Sequence, residues 1–265
     1  MYREAIAHDA SNPELLSRLA LLLAESNDPG AEKALREAID SSAVVRPELN
    51  LALGELFAEQ GRAQEAQQQL ETAATARAVS AGARNAKARA SMKLGRTREA
   101  EAMWRALIED QPDYWRAWLN MSSLSIQKGA WADVELYARA SVDRQPDSAD
   151  AWNNLAIGLD ELGRTTEAEA AYRRASEVDP TDWRALFNLG ILLRVGGRYE
   201  EAATTQREVL QRAPALAGAH FELGILYAGP LGDIEQAKAH LRATISADPD
   251  HPRAQQAQSV LDRLP

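Results

Sequence analysis

The sequence contains no cysteine, which excludes a disulfide framework, a thiolate metal site and a cysteine nucleophile. Basic residues are in deficit. With 30 Lys and Arg against 39 Asp and Glu, the formal net charge is −9, which argues against a nucleic-acid binder, since that would need a basic stripe to neutralise phosphates, and leaves room only for local Arg-rich patches. Long apolar runs are missing too: the longest, near Leu19 to Ala24, is far too short to cross a bilayer and implies no direct membrane insertion. The N-terminal MYREAIAHDA lacks an apolar signal core. As written the chain reads as soluble and cytoplasmic, although a segment upstream of Met1 would carry any signal or anchor. No β-rich or alternating stretch occurs, and the 45% hydrophobic content is spread evenly along the chain. The expected class is all-α.

What the sequence does have is a period. Gly61, Gly95, Gly129, Gly163 and Gly197 are 34 residues apart, as are Pro112, Pro146, Pro180 and Pro214, and a fixed spacing of this length is the mark of tandem structural repeats. The stretch from Trp152 to Pro180 shows the unit. Trp152, Leu155, Ala156 and Leu159 fall on one helical face, then Gly163 intervenes, and Ala168, Tyr172 and Ala175 form a second face. Two amphipathic helices joined by a short turn make a helical hairpin. The glycine suits the left-handed residue that ends the first helix. Asp113, Asp147, Asp182 and Asp250 stand where they could cap the next one.

A bulky residue, a leucine three on, a small residue directly after it, then Ala, an aromatic, Ala and Pro in fixed register resembles the tetratricopeptide repeat. Gly54, Ala88, Ser122, Ala156, Gly190 and Gly224 hold the small position of the first helix, and Ala66, Ala100, Ala168 and Ala202 that of the second. The pattern departs from the family at Lys87, which replaces a leucine, at Val134 and Ala138, and at Gln206, which replaces the aromatic. The segment Asn27 to Gly30 is one residue short, and 228–233 one residue long. The resemblance implies a right-handed α-α superhelix of about seven helix–turn–helix repeats with terminal capping helices, and a concave groove lined by the first helix of each repeat.

Successive repeats are expected at about 13–46, 47–80, 81–114, 115–148, 149–182, 183–216 and 217–251. Residues 1–12 form a partial repeat or N-terminal capping helix, with Tyr2 and Ala5 in the places of Tyr172 and Ala175. Either that segment caps the stack or the chain begins inside a longer protein; truncation is the favoured reading. Residues 252–265, rich in Gln, Arg and Asp, read as a polar C-terminal capping helix.

Removing the packing positions leaves a set of first-helix residues for the open side. Asn120, Asn154 and Asn188 form one column, Phe187 and Phe221 a second, Ile157, Ile191 and Ile225 a third; Asn153 joins them, and Arg116, Arg184 and Arg194 flank them. An asparagine amide donates and accepts at once, so a column of them can hold an extended peptide by its backbone. This is similar to the asparagine ladder in the repeat domain of protein O-linked N-acetylglucosamine transferases, although Arg18, Ala52, Ala86 and Glu222 interrupt it here. The opposing reading is that the amides bond to neighbouring helices and the arginines to nearby acids such as Asp160.

Catalytic patterns are sparse. His8, His220, His240 and His251 lack ligand spacing, and His220 can meet His240 only across one hairpin. There is no nucleophile elbow and no phosphate loop following a strand. The sequence therefore reads as a non-enzymatic scaffold without a cofactor, binding a peptide or partner segment over residues 115–251. A self-assembling homo-oligomer and an accessory module of a longer enzyme are the rival readings.

Overall fold

The computed structural model describes residues 13–25, 28–42, 46–74, 81–250 and 252–265. These form fifteen α-helices, and no strand occurs among the described residues. The expected N-terminal helix with Tyr2 and Ala5, together with His8 and His251, lies outside them. The chain divides into two compact units, residues 1–121 and 122–265.

The first unit holds three hairpins: α1 (Pro13–Glu25) with α2 (Ala31–Asp40), α3 (Pro47–Glu59) with α4 (Ala63–Ala74), and α5 (Ala81–Lys93) with α6 (Thr97–Asp110). The division falls within α7 (Trp115–Lys128). Leu35, Leu49, Leu53, Phe57 and Leu70 are buried in one cluster that passes from hairpin to hairpin. This is how a repeat that cannot cover its own apolar face becomes stable: the neighbour covers it.

The second unit opens on α8 (Trp131–Arg144), which packs on α9 (Ala149–Glu161). Helices α9 and α10 (Thr165–Val178), α11 (Arg184–Val195) and α12 (Tyr199–Arg212), and α13 (Ala217–Ala228) and α14 (Ile234–Ala247) form hairpins, and α15 (Pro252–Leu261) packs on α13 and α14. The first helices α9, α11 and α13 also abut one another in order.

Two sequence features position these helices. Gly163 has φ +74° and nothing within 4 Å of a Cβ built on it, so backbone conformation alone demands glycine in that turn. Gly224 is demanded by packing: an added Cβ would lie 2.7 Å from Cγ of the buried Leu241 across the hairpin. In the last turn the left-handed residue is Gly232, with φ +68°, one step beyond the strict period because 228–233 is a residue longer. Caps are less regular than the aspartate spacing suggests. Asp182 Oδ1 accepts from the Arg184 amide at 2.9 Å, but α9 is capped by Ser148, whose Oγ accepts from the Ala151 amide at 3.3 Å, not by Asp147.

A second column, unremarked in the sequence pattern, ties successive hairpins together. The residue after the turn glycine is Arg62, Arg96, Arg164 or Arg198, with a glutamate three positions on. Arg164 grips Glu167 through Nε and Nη2 at 2.7 and 2.6 Å and reaches Glu135 of the preceding hairpin through Nη1. Arg62 does the same with Glu65 and Glu32, and Arg198 with Glu201 and Glu169. These forks lie at the surface, where water screens them, so they fix register more than they add stability.

Candidate functional site

The candidate face of the second unit lies on α9, α11 and α13, which abut in order. Its inner side is closed by Leu155, Leu159, Leu189, Leu193, Leu223 and Leu226, all buried. Ile157, Ile191 and Ile225 emerge half-buried at 34-residue steps, and so do Phe187 and Phe221. The rings of Phe187 and Trp183 meet edge to face, their centres 6.0 Å apart at 81°.

The asparagines are placed differently from the apolar columns. Asn154 is buried, and its Nδ2 donates to Ser122 Oγ and Ser123 Oγ, both at 2.9 Å. Asn188 is half-buried and donates to Asn153 Oδ1 at 3.4 Å, a long and weak bond. In the first unit Asn120 donates to Asn85 Oδ1 at 2.7 Å, and the same oxygen accepts from Trp104 Nε1 at 3.0 Å. Each amide of the column thus reaches back to the preceding first helix. Glu222 takes the asparagine position in α13 and behaves alike: its buried carboxylate accepts from Arg194 Nε of α11 at 2.8 Å.

The arginines are engaged as well. Arg184 donates to Asp150 Oδ1 at 2.7 Å and to Asp182 Oδ2 at 2.9 Å. Burial raises the pKa of the Asp182 carboxyl, but the hydrogen bonds from Arg184 outweigh it and hold the group below its ordinary value. Arg116 lies over the ring of Trp115 at 4.4 Å. Asp160 is not among their partners in these contacts. It sits half-buried at the end of α9, where desolvation, then Glu161, pushes its carboxyl up.

A feature that sequence reasoning left out lies where α15 meets this face. Arg253 projects from the first turn of α15 over both phenylalanines, its guanidinium carbon 5.4 Å from the Phe187 ring centre and 5.7 Å from that of Phe221. Its Nη1 is 3.9 Å from Glu222 Oε1. The signal was present, since Arg253 occupies the position of Arg184 once the extra residue in 228–233 is counted.

His220 and His240 do meet across the last hairpin, with Nδ1 atoms 3.0 Å apart. His220 stands in the place of Trp118 and Trp152, and it repeats their bond. The tryptophan Nε1 atoms donate to the carbonyls of Pro112 and Pro146 at 2.7 and 2.8 Å, and His220 Nε2 lies 3.0 Å from the Pro214 carbonyl. Tyr227 stacks on His240 at 5.8 Å. Among the described residues no group of three or more His, Asp or Glu is placed to hold a metal ion, and no helix is long and apolar enough to cross a membrane.

Models of the tetratricopeptide repeat match residues 47–72, 85–149, 153–217 and 219–251. Comparison with curated proteins returned no match. Among solved structures, pilF of Pseudomonas aeruginosa is similar at 14% identity and TM-score 0.70, covering 80% of this chain and 96% of that one. A tetratricopeptide repeat protein of Parabacteroides merdae is similar at 19% identity and TM-score 0.63, covering 94% and 97%. YrrB, described as a TPR protein with an unusual peptide-binding site, is similar at 18% identity and TM-score 0.51, covering 86% and 100%. At these identities the likeness is one of fold.

Proposed function

The chain belongs to the tetratricopeptide repeat family, and we propose that it is a non-catalytic scaffold whose second unit binds a peptide or a segment of a partner protein. The family's fold generally serves protein–protein interaction, and one solved relative of similar fold is described by its peptide-binding site. The observation that carries the reading is the pair of apolar columns. Ile157, Ile191 and Ile225, with Phe187 and Phe221, are only partly buried on consecutive first helices although the leucines beside them are fully packed. The isoleucines recur partly exposed in three repeats and the phenylalanines in two, the latter under Arg253, and such an apolar stripe is what a bound segment would bury.

On this reading the anchors are the rings and isoleucines, and specificity comes from polar groups around them. Asn188 and Asn153 are the asparagines best placed to exchange partners, because the 3.4 Å bond between them costs little to break. Asn154 would hold the face in shape, with Asn120 doing so in the first unit. Arg184 and Arg194 would supply charge-assisted contacts at the rim only by sharing the carboxylates that now hold them.

The test is selection of binding peptides from a random display library with the intact chain, followed by titration against Phe187→Ala with Phe221→Ala. Retained helicity with affinity lowered at least about tenfold, the scale of losing one buried aromatic anchor, supports the reading. Unchanged affinity in a folded double variant would move binding off this face.

A further inference from the structure

Glu222 lies beneath the contact of Arg253 with the two phenylalanines. Phe187 and Phe221 are one repeat apart, yet both rings address one guanidinium, at 5.4 and 5.7 Å. Gly218 makes the space beside Phe187: a Cβ there would lie 2.8 Å from Arg253 Nη1 and 3.1 Å from the Phe187 ring. Below is Glu222, 4% exposed, with Oε1 3.9 Å from Arg253 Nη1 and Oε2 already bonded to Arg194 at 2.8 Å. Two aromatic rings beside a buried carboxylate, with the backbone recessed at a glycine, suit a planar cation that stacks on the rings and lies at ion-pair distance from the carboxylate. Lysine offers a compact point charge that is attracted to the rings but has no planar face to stack on them.

We propose that Phe187, Gly218, Phe221 and Glu222 form an arginine-recognition slot, which Arg253 fills from within the chain and which an arginine of a bound partner segment takes over. The inference rests on the proposed binding face and names the side chain that face reads. Charge complementarity supports the choice of occupant, since the chain carries a net −9 and Glu222, bonded to Arg194 through Oε2, still has Oε1 3.9 Å from the guanidinium that fills the slot. Geometry supports the exchange. Arg253 is in the first turn of α15, its side chain still 27% exposed, so it can swing out by rotation about its own bonds while the helix stays docked through Ala254 and Ala257, both buried. Arg253 then acts as a gate: a partner binds only by outcompeting it.

The experiment titrates the full chain with the peptides acetyl-Gly-Gly-Arg-Gly-Gly-amide and its lysine counterpart, following amide shifts in two-dimensional NMR spectra. Compared are the unaltered chain, R253A, R253Q, and R253A combined with F221A or with E222Q. The expected result is that R253A and R253Q bind the arginine peptide at least about tenfold tighter than the unaltered chain, as removal of a competitor worth roughly 1.4 kcal/mol would produce. Both double variants should fall back to the unaltered level, and the lysine peptide should bind more weakly throughout. Equal binding by the unaltered chain and both single variants, or equal binding of the arginine and lysine peptides, overturns the slot. Library-selected peptides that lack arginine but still depend on Phe187 and Phe221 would leave the binding face standing while removing the slot from it.

Discussion

His220 and His240 share one hydrogen bond across the last hairpin, and the direction of that bond is fixed. The carbonyl of Pro214 can only accept, so Nε2 of His220 carries its proton. Neutral His220 therefore presents a lone pair at Nδ1, and Nδ1–H of His240 donates to it over 3.0 Å. Protonating both rings would set two N–H groups against each other. Burial, and then the nearness of His220, hold the His240 pKa below that of a free histidine.

The sign of the consequence follows by linkage. The unfolded chain takes up a proton at the ordinary histidine pKa near 6.5 and the folded chain only at a lower one. The contribution is thus present in full above that pH and is lost progressively as pH falls towards the depressed folded value. Melting temperature should drop more between pH 7.5 and 5.5 for the unaltered chain than for His240→Gln. Parallel pH profiles for the two proteins would contradict the pairing.

Gln206 predicts a gain. It is fully buried, its Nε2 donates to the carbonyl of Phe187 at 3.1 Å, and its Oε1 has no partner. Its column neighbour is the buried Tyr172, so an amide occupies an apolar position. Gln206→Leu exchanges one hydrogen bond for relief of a buried, unsatisfied oxygen, and the balance should favour the variant by ~1 kcal/mol. Chemical denaturation with an unchanged slope and a higher midpoint would confirm it. A lower midpoint would show that the bond to Phe187 matters more than the stranded oxygen.

The 34-residue spacing made much of this legible before any coordinate. The hairpin glycines recur because each turn needs a left-handed residue, and Gly54, Gly190 and Gly224 recur because Leu70, Gln206 and Leu241 press on them. What spacing does not carry is the direction in which a polar side chain bonds. Asn154 lies one helical step from Leu155 and shares its burial, so its amide turns to the serines of the preceding helix, whereas Ile157 stays at the margin. The arginines are equally periodic, at 62, 96, 164 and 198, with the fork closed at 62, 164 and 198 and Arg96 bonded to Gln67 instead. Surface charge at a helix start is ordinary, and only the Glu three residues on makes it a pattern. The exchange of Trp for His at position 220 was hidden for another reason. Both rings offer one N–H to the same proline carbonyl, an equivalence of hydrogen bonding that hydrophobic pattern cannot reveal.

Two glycine substitutions should separate packing from backbone. Gly163→Ala places a methyl in open space but forces a left-handed alanine, costing roughly 1 kcal/mol, and Gly163→Asn should cost less. Gly224→Ala keeps helical backbone but drives a methyl onto Leu241, and should cost about 1–3 kcal/mol. Leu241→Ala placed beside Gly224→Ala relieves the clash, so the double variant should lose less than the sum of the two single losses. Strict additivity would mean that the helices of this hairpin separate freely.

The two asparagines of α9 and α11 give the last test, because they divide structure from recognition. Asn154→Ala removes two 2.9 Å bonds from a buried amide and leaves the Ser122 and Ser123 hydroxyls to find other partners, so stability should fall by about 1–2 kcal/mol. Asn188→Ala removes one bond of 3.4 Å at a half-buried position and should change stability by less than about 0.5 kcal/mol. If the face binds an extended segment through backbone contacts, affinity should show the opposite order: Asn188→Ala weakens a selected peptide although the fold is unaffected, and Asn154→Ala weakens it only as far as the fold loosens. Thermal melts and peptide titrations on the same two variants decide the matter. Should Asn188→Ala leave both stability and affinity where they were, the column serves packing alone and recognition falls to the aromatic and isoleucine side chains beside it.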